Sequence, residues 1–227
     1  MASRKRFLFE AYGALISPLY DRLIAPALEE LALGLGEALF EAPPAGAPLL
    51  DVGCGGGQLL VHLARRRPEL RLVGLDLSTP QLARARRRVG GVARLVRGSA
   101  LALPFRSATF GAVVSIASLK HWPDPRLGLA ECARVLRPGG RLVVAEGDRD
   151  AGAAESRAFV ARYRLPALAR RLALPGFRRY VLGISPTVAE ARAWLATLPL
   201  AETRAERVPG TPFLVLSGRS EARRPGA

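Results

Sequence analysis

The segment that decides the fold runs from Leu49 to Leu60 and has the sequence LLDVGCGGGQLL. It starts with a short, mostly apolar run, continues as a turn with four glycines, and ends in a helical pattern of apolar residues. Glycine adopts positive φ angles at little steric cost and lets a ligand approach the backbone closely. The segment therefore predicts a buried strand, a ligand-binding turn and the start of a helix.

Outward from this segment, as far as Glu146, short apolar runs alternate with arginine-rich helical patterns. This alternation is typical of a parallel sheet covered by helices on both faces. The predicted strands are residues 49–52, 70–75, 92–96, 110–115 and 142–145, and a hairpin of 201–208 and 213–218. Together they predict a doubly wound α/β fold whose seven-stranded sheet is mostly parallel and ends in an antiparallel hairpin.

The length of 227 residues predicts one domain. Its expected parts are an N-terminal helical cap, a ligand-binding core, a helical lid, a final helix with the hairpin, and a tail. Their boundaries are residues 1–47, 48–150, 151–185, 186–219 and 220–227. The final helix begins with a capping box from Thr187 to Glu190.

Composition excludes several classes of protein. A hydrophobic fraction of 49% excludes disorder over most of the chain. The two cysteines, Cys54 and Cys132, exclude a disulfide framework and a cysteine zinc site, so no metal site is expected. The default location is then a reducing cytoplasm. No apolar run approaches the roughly 18 residues of a spanning helix. A monomer and a homodimer both remain open.

The charge balance is strongly basic, with 34 Lys and Arg against 19 Asp and Glu, a net charge of +15. Between Ser156 and Ala189 there is no acidic residue, but there are seven arginines and four aromatic residues. Such a segment suits an aromatic or acidic substrate, a nucleic acid, or peripheral contact with an anionic membrane. It equally suits an arginine-coated pair of surface helices whose aromatic side chains face the core.

The glycine spacing distinguishes between two kinds of ligand. A dinucleotide fingerprint needs a glycine at the sixth position counted from Gly53, where Gln58 stands. The pattern Asp-x-Gly-x-Gly-x-Gly from Asp51 to Gly57 instead resembles motif I of the class I S-adenosylmethionine-dependent methyltransferases. The resemblance continues through residues 97–105, 110–115, 122–125 and 134–140.

These segments are similar to the subgroup that includes ubiquinone and menaquinone C-methyltransferases and other small-molecule methyltransferases, and they cover residues 48–146 closely. The resemblance implies a Rossmann-like fold and S-adenosylmethionine as cofactor. It also implies an enzyme that transfers a methyl group to a small, apolar or aromatic acceptor by in-line displacement. A nucleic-acid methyltransferase and a non-catalytic cofactor-binding protein are the alternatives.

Asp76 ends the second predicted strand, where a carboxylate can accept hydrogen bonds from both ribose hydroxyls. Ser99 stands where the family usually has an aspartate for the adenine amino group, which implies weaker cofactor binding. Tyr20 resembles a cofactor-contacting tyrosine of relatives and fits a core position equally well. The full cofactor set that the resemblance implies is Tyr20, Asp51, Gly53, Cys54, Gly55, Gly57, Asp76, Leu77, Ser99, Ala100 and Ser115.

Two catalytic candidates follow the fourth and fifth strands at the edge where the methyl group of the cofactor is expected. His121 is a candidate general base, or a residue that caps the next helix or bonds the backbone. Glu146 is the second candidate base. Cys54 lies inside the glycine loop, where we interpret it as a small filler rather than a nucleophile.

Overall fold

The computed structural model describes residues 46–221, which form one seven-stranded sheet flanked by helices. The strands are β1 (Leu49–Val52), β2 (Leu72–Asp76), β3 (Ala93–Arg97), β4 (Phe110–Ile116), β5 (Leu136–Gly147), β6 (Leu200–Arg207) and β7 (Phe213–Ser220). The helices are α1 (Gln58–Arg66), α2 (Thr79–Val89), α3 (Pro125–Val135), α4 (Ala153–Val160), α5 (Ala167–Tyr180) and α6 (Val188–Leu195). Short 3₁₀ turns cover Leu119–His121 and Leu182–Ile184.

The strand order is β3-β2-β1-β4-β5-β7-β6, and β1 to β5 pair in parallel. β7 pairs antiparallel with β5 and with β6, which forms the predicted hairpin. In the register, Asp51 of β1 lies between Gly74 of β2 and Val114 of β4. The order of the strands reverses at β1, so the loops that follow β1, β2 and β4 open a crevice at their carboxyl ends.

Successive residues of each central strand enter opposite cores, because side chains alternate between the two faces of a sheet. Leu50 and Val113 belong to a cluster shared with α3 and α6. Leu49 and Val114 belong to a second cluster, shared with α1 and α2. All four residues of β1 are buried, as expected for a central strand covered on both faces.

The predicted strands differ from the observed ones mainly in β5. This strand begins at Leu136 rather than at residue 142, because Leu136 pairs with Phe110 before the register shifts and resumes at Arg141. The Pro138-Gly139-Gly140 sequence lies within that irregular stretch. Proline and glycine are typical of turns, so the sequence did not predict strand pairing there. β7 also continues through Ser220, two residues past its predicted end at residue 218, and Ser220 pairs with Leu200 of β6.

The segment of residues 151–185 is helical, as expected, and packs beside the carboxyl end of β5. Phe159, Tyr163 and Phe177 are buried there with Phe213 of β7. The rings of Phe159 and Phe213 are 4.8 Å apart between centroids, in an edge-to-face arrangement. These three aromatic side chains of the segment therefore face a core of their own. The role of the segment as a lid stays a prediction.

The expected N-terminal helical cap, including Tyr20, lies outside the described residues. None of the helices in the described part of the chain has both the length and the apolar character needed to span a bilayer.

Candidate cofactor and active site

The glycine turn after β1 is held against β2 by its own backbone. The N–H groups of Gly53 and Cys54 both donate to the carbonyl of Leu75, at 2.7 and 3.0 Å. Gly53, Gly55 and Gly57 have φ angles of 78°, 51° and 80°. This left-handed region favours glycine, so the spacing recognised in the sequence is the spacing that the turn geometry demands.

The same turn requires the absence of a side chain for a second reason. A Cβ atom on Gly53 would lie 1.9 Å from Oγ of Ser118, in the loop after β4. Gly55 differs, since a Cβ there would meet nothing closer than Oε1 of Gln81, at 3.9 Å. The backbone at Gly55 therefore faces open space at the carboxyl edge, where a ligand can approach it.

Asp76 closes the crevice from the end of β2. Its Oδ2 accepts the N–H of Gly55 and its Oδ1 accepts the N–H of Ser78, both at 2.8 Å. Burial raises the pKa of Asp76, while these two hydrogen bonds act in the opposite direction. Each carboxylate oxygen has two lone pairs, so both oxygens can still accept from a ligand. This arrangement suits a vicinal diol such as ribose.

Asp51 lies beneath the turn and is only 2% exposed. Burial, followed by the nearby charge of Asp76, raises the pKa of Asp51 to about 8. Desolvation disfavours the charged carboxylate, and a second carboxylate nearby adds to that cost. Asp51 therefore holds a proton at neutral pH when no cation is close to it.

Leu77, Ser99 and Ala100 follow the carboxyl ends of β2 and β3. Leu77 is 54% exposed and offers an apolar surface directly after Asp76. Oγ of Ser99 accepts the N–H of Leu101 at 3.1 Å, and Ala100 beside it is half-buried. The Ser99 hydroxyl thus helps to shape its own turn and keeps its proton available as a donor.

Ser115 and Cys54 lie deeper than the other predicted cofactor residues. Ser115 is fully buried and its hydroxyl donates to the carbonyl of Val52 at 2.8 Å, which joins β4 to the end of β1. Burial is the main cause that raises the pKa of the Cys54 thiol well above its usual range. A neutral, buried thiol is a poor nucleophile, which agrees with the interpretation of Cys54 as a filler.

The two catalytic candidates have different surroundings. Glu146 is fully buried and forms an ion pair with Lys120, with 2.9 Å between Oε1 and Nζ. Its oxygens also accept the N–H groups of Lys120 and Gly147, at 3.0 and 2.8 Å. The Lys120 ammonium donates further to the carbonyl of Ala117 at 2.6 Å. This pair joins the carboxyl ends of β4 and β5.

His121 ends the 3₁₀ turn that starts at Leu119, and its N–H donates to the carbonyl of Ser118 at 2.9 Å. The residue is exposed at the protein surface, and neighbouring protein atoms replace part of the water around its imidazole. This desolvation, together with the positive charge of Lys120, lowers the pKa of His121 to about 4. The imidazole is therefore neutral at physiological pH.

A cavity of about 230 Å³ lies beside the Lys120–Glu146 pair, between the two 3₁₀ turns and α6. Its lining combines both tryptophans of the chain with aliphatic and charged residues. They include Leu119, Lys120, Trp122, Arg149, Ile184, Pro186, Glu190 and Trp194.

Sequence reasoning missed the face of α2 that borders the glycine turn. Arg88 donates to the carbonyl of Gly56 at 2.6 Å, Gln81 lies nearest to Gly55, and the charge of Arg84 acts on Asp76. None of the site residues predicted from the sequence lies on this helix. The sequence did contain a signal for this face: Gln81, Arg84 and Arg88 are three and four residues apart, which places their side chains on one side of a helix.

The comparisons with known proteins agree with this geometry. The model of a family described as a methyltransferase domain matches residues 50–144, which include the glycine turn, Asp76 and Ser99. Residues 50–144 therefore form a methyltransferase domain of the class I S-adenosylmethionine-dependent type. The cofactor of this domain is S-adenosylmethionine. The open backbone at Gly55 and the acceptor oxygens of Asp76 fit such a cofactor.

Two curated relatives are similar to this methyltransferase over its core. The O-methyltransferase rstn1 of Aspergillus nomiae is 35% identical over 140 residues, which are 60% of this chain and 61% of the relative. The demethylmenaquinone methyltransferase of Deinococcus radiodurans is 37% identical over 145 residues, 59% of this chain and 57% of the relative. The matched region thus spans about three fifths of these relatives' length.

A solved structure shows the same fold over nearly the whole methyltransferase. It is a S-adenosylmethionine-dependent methyltransferase of Thermotoga maritima, with a TM-score of 0.64 and 16% sequence identity. The match covers 95% of this chain and 99% of that one. It confirms the predicted Rossmann-like architecture with its mostly parallel sheet and C-terminal hairpin.

Proposed function

We propose that this protein transfers a methyl group from S-adenosylmethionine to a small, apolar or aromatic acceptor. The main support is that two features lie together where the strand order reverses. The backbone at Gly55 faces open space, and both carboxylate oxygens of Asp76 can accept hydrogen bonds. An aromatic-lined cavity opens on the same edge, beside Lys120.

We assign the cofactor contacts by matching the hydrogen-bonding, apolar or charged character of each residue to a part of the cofactor. Asp76 would accept from the ribose hydroxyls, Leu77 would pack on the adenine, and the Gly55 backbone would lie against the methionine part. Asp51 beneath the turn would face the cationic part of the cofactor. The cofactor would supply a methyl group on a positively charged sulfur: the acceptor atom would bond to the methyl carbon in line with the breaking carbon–sulfur bond, and S-adenosylhomocysteine would leave as a neutral thioether.

Because the positive charge on sulfur disappears in the transition state, a carboxylate fixed against it would stabilise the ground state more. The protein's main contribution is then to align the acceptor. The neutral imidazole of His121 is the proposed proton acceptor for a hydroxyl or thiol substrate. The buried, fully hydrogen-bonded Glu146 is better suited to positioning Lys120, and a direct catalytic role for it stays a prediction.

The acceptor class rests on two supports. The relatives above are named for O-methyl transfer and for demethylmenaquinone, which point to aromatic rings with hydroxyl or quinone oxygens. The cavity beside Lys120 offers the side chains of Trp122 and Trp194 as apolar contacts for such a ring.

The test is formation of S-adenosylhomocysteine by the purified protein with single candidate acceptors. We expect product with a hydroxynaphthoquinone or a catechol and none with total RNA. Product with RNA alone would favour a nucleic-acid methyltransferase, which the net charge of +15 permits. Cofactor binding without any product across acceptors would favour a non-catalytic binding protein.

The raised pKa of Asp51 leads to a prediction about pH. Binding of the cationic cofactor should favour the ionised carboxylate, so binding at pH 7 should release a proton. Affinity should then rise between pH 6 and pH 7.5, by at most about tenfold per pH unit. Calorimetry in buffers of different ionisation enthalpy measures the released proton directly.

Asp51→Asn is the matched control for this prediction, since it keeps the shape and removes the titration. We expect its affinity to be flat over the same pH range. A proton release that persists in Asp51→Asn would assign the effect to another group.

Replacement of His121 by alanine should lower turnover at pH 7 by at least about tenfold, because a positioned base contributes 10² to 10⁴-fold. Cofactor affinity should stay within about threefold, since no cofactor hydrogen bond is assigned to His121. Turnover should partly recover at higher pH, where the acceptor ionises without help. The measurement is a pH profile of turnover for both proteins.

His62→Ala on α1 removes the other histidine of the chain and serves as the control, with turnover close to that of the wild type. Since its pKa is lowered to about 4, His121 should contribute no inflection to the wild-type profile between pH 6 and pH 8. Unchanged turnover of His121→Ala at every pH would place His121 in a structural role.

A further inference from the structure

One face of α5 exposes large apolar side chains to solvent. Leu168 is 68% exposed, Leu172 is 73% exposed, and Tyr180 at the end of the helix is 69% exposed. The two leucines are one turn apart, about 40° around the helix axis. We call the surface formed by Leu168 and Leu172 the α5 ridge. Tyr180 lies about 120° around the axis from Leu168, on another side of the helix.

The ridge points away from the protein. The buried residue of α5 is Phe177, which lies about 180° around the helix from Leu168. Phe177 packs with Phe159 and Tyr163 in the aromatic core of this segment. The helix therefore has two apolar faces. One packs against the aromatic core of this segment, and the other faces solvent.

Positive charge surrounds the ridge. Arg171 and Arg179 are exposed and lie about 60° and 20° around the axis from Leu168, and the guanidinium of Arg179 lies 5.8 Å from the centroid of the Tyr180 ring. The nearest acids along the chain are Glu155 and Glu190, both outside α5. An exposed apolar ridge framed by arginines has the pattern of a helix that lies in the interface of an anionic bilayer.

An RNA strand fits this surface less well. Recognition of single-stranded RNA uses exposed aromatic rings as stacking platforms. Three of the four aromatic residues in this segment are buried, and Tyr180 is the exposed one. Exposed leucines, by contrast, gain free energy when they leave water for acyl chains.

We propose that the α5 ridge docks this protein onto the surface of an anionic membrane. The leucines enter the boundary between headgroups and acyl chains, and the arginines contact the anionic headgroups. Attraction between the arginines and the lipid is screened by salt, whereas the contribution of the leucines is not. The inference does not depend on methyl transfer, because docking is measured without acceptor.

The experiment is co-sedimentation of the full chain with vesicles of equal parts phosphatidylglycerol and phosphatidylcholine, and with vesicles of phosphatidylcholine alone. We expect at least about tenfold stronger binding to the anionic vesicles. The double variant Leu168→Asp/Leu172→Asp should lose at least about tenfold in binding to them. The milder Leu168→Ala/Leu172→Ala should lose less, which keeps the test valid if the aspartates disturb α5.

Two matched controls separate the ridge from general basicity. Val92→Asp/Leu127→Asp introduces the same charges at apolar positions elsewhere, which are 51% and 47% exposed. Arg86→Gln/Arg87→Gln on α2 removes the same charge as Arg171→Gln/Arg179→Gln on α5. We expect each control to bind anionic vesicles within about twofold of the wild type, and its α5 counterpart to bind clearly more weakly.

Several results would overturn the proposal. One is equal binding of the wild type and both leucine variants to anionic vesicles. Another is an equal loss in the α5 variants and their controls. A third is RNA binding that is stronger than vesicle binding and is lost in the leucine variants. A dimer that the leucine variants dissociate would assign the ridge to contact with a second copy.

Discussion

Replacement of Lys120 by methionine is expected to lower the free energy of unfolding by about 3–5 kcal/mol, because it leaves a buried carboxylate without its partner. Lys120 and Glu146 are 7% and 0% exposed at their side chains. The two backbone N–H groups that Glu146 also accepts stay in place and favour the lower end of that range. Urea denaturation measures the effect, and the melting temperature should fall by roughly 6–20 °C.

Two variants test the cause of this loss. Lys120→Met combined with Glu146→Gln should recover a large part of the stability, because the pair is then neutral. Arg67→Met breaks the exposed ion pair with Glu69 and should cost no more than about 1 kcal/mol. A Lys120→Met variant as stable as Arg67→Met would contradict the assignment of a buried, paired carboxylate.

Asp76→Ala is expected to weaken binding of S-adenosylmethionine and of S-adenosylhomocysteine by roughly 5- to 150-fold, or about 1–3 kcal/mol. The carboxylate would accept from the ribose hydroxyls, and it also orders the turn through Gly55 and the loop through Ser78. Titration calorimetry with both ligands measures the loss. The two ligands should lose equally, because they differ at sulfur and share the ribose.

The control for this variant is Glu69→Ala, which removes an exposed carboxylate before β2, at the opposite edge of the sheet. Its cofactor affinity should equal that of the wild type. Asp76→Asn should fall between Asp76→Ala and the wild type, since one acceptor oxygen remains. Unchanged affinity in Asp76→Ala would remove this residue from the ribose site.

The fold and the cofactor edge could be predicted from local sequence to a large extent. The strands β1 and β4, the turn from Gly53 to Gly57, and the position of Asp76 at a strand end all follow from patterns a few residues long. Short patterns are sufficient here because φ preference, apolar periodicity and turn chemistry act between near neighbours.

Partners far apart in the chain could not be predicted in this way. Lys120 and Glu146 are 26 residues apart, and each alone resembled a polar residue at a sheet edge. The same holds for Arg88 and Gly56, which are 32 residues apart. Their meeting depends on the register of parallel strands and on the packing of α2 against the turn.

The sequence by itself determined the doubly wound sheet and the glycine turn, because each depends on local backbone preferences in a fixed order along the chain, and its resemblance to a known family implied the cofactor. Only the tertiary structure decided which side chains of the helices face outward. Phe159, Tyr163 and Phe177 turned inward around Phe213, while Leu168 and Leu172 of α5 stayed in solvent. Burial is a property of the whole packed molecule, and a helical stripe acquires a partner only when a distant element covers it.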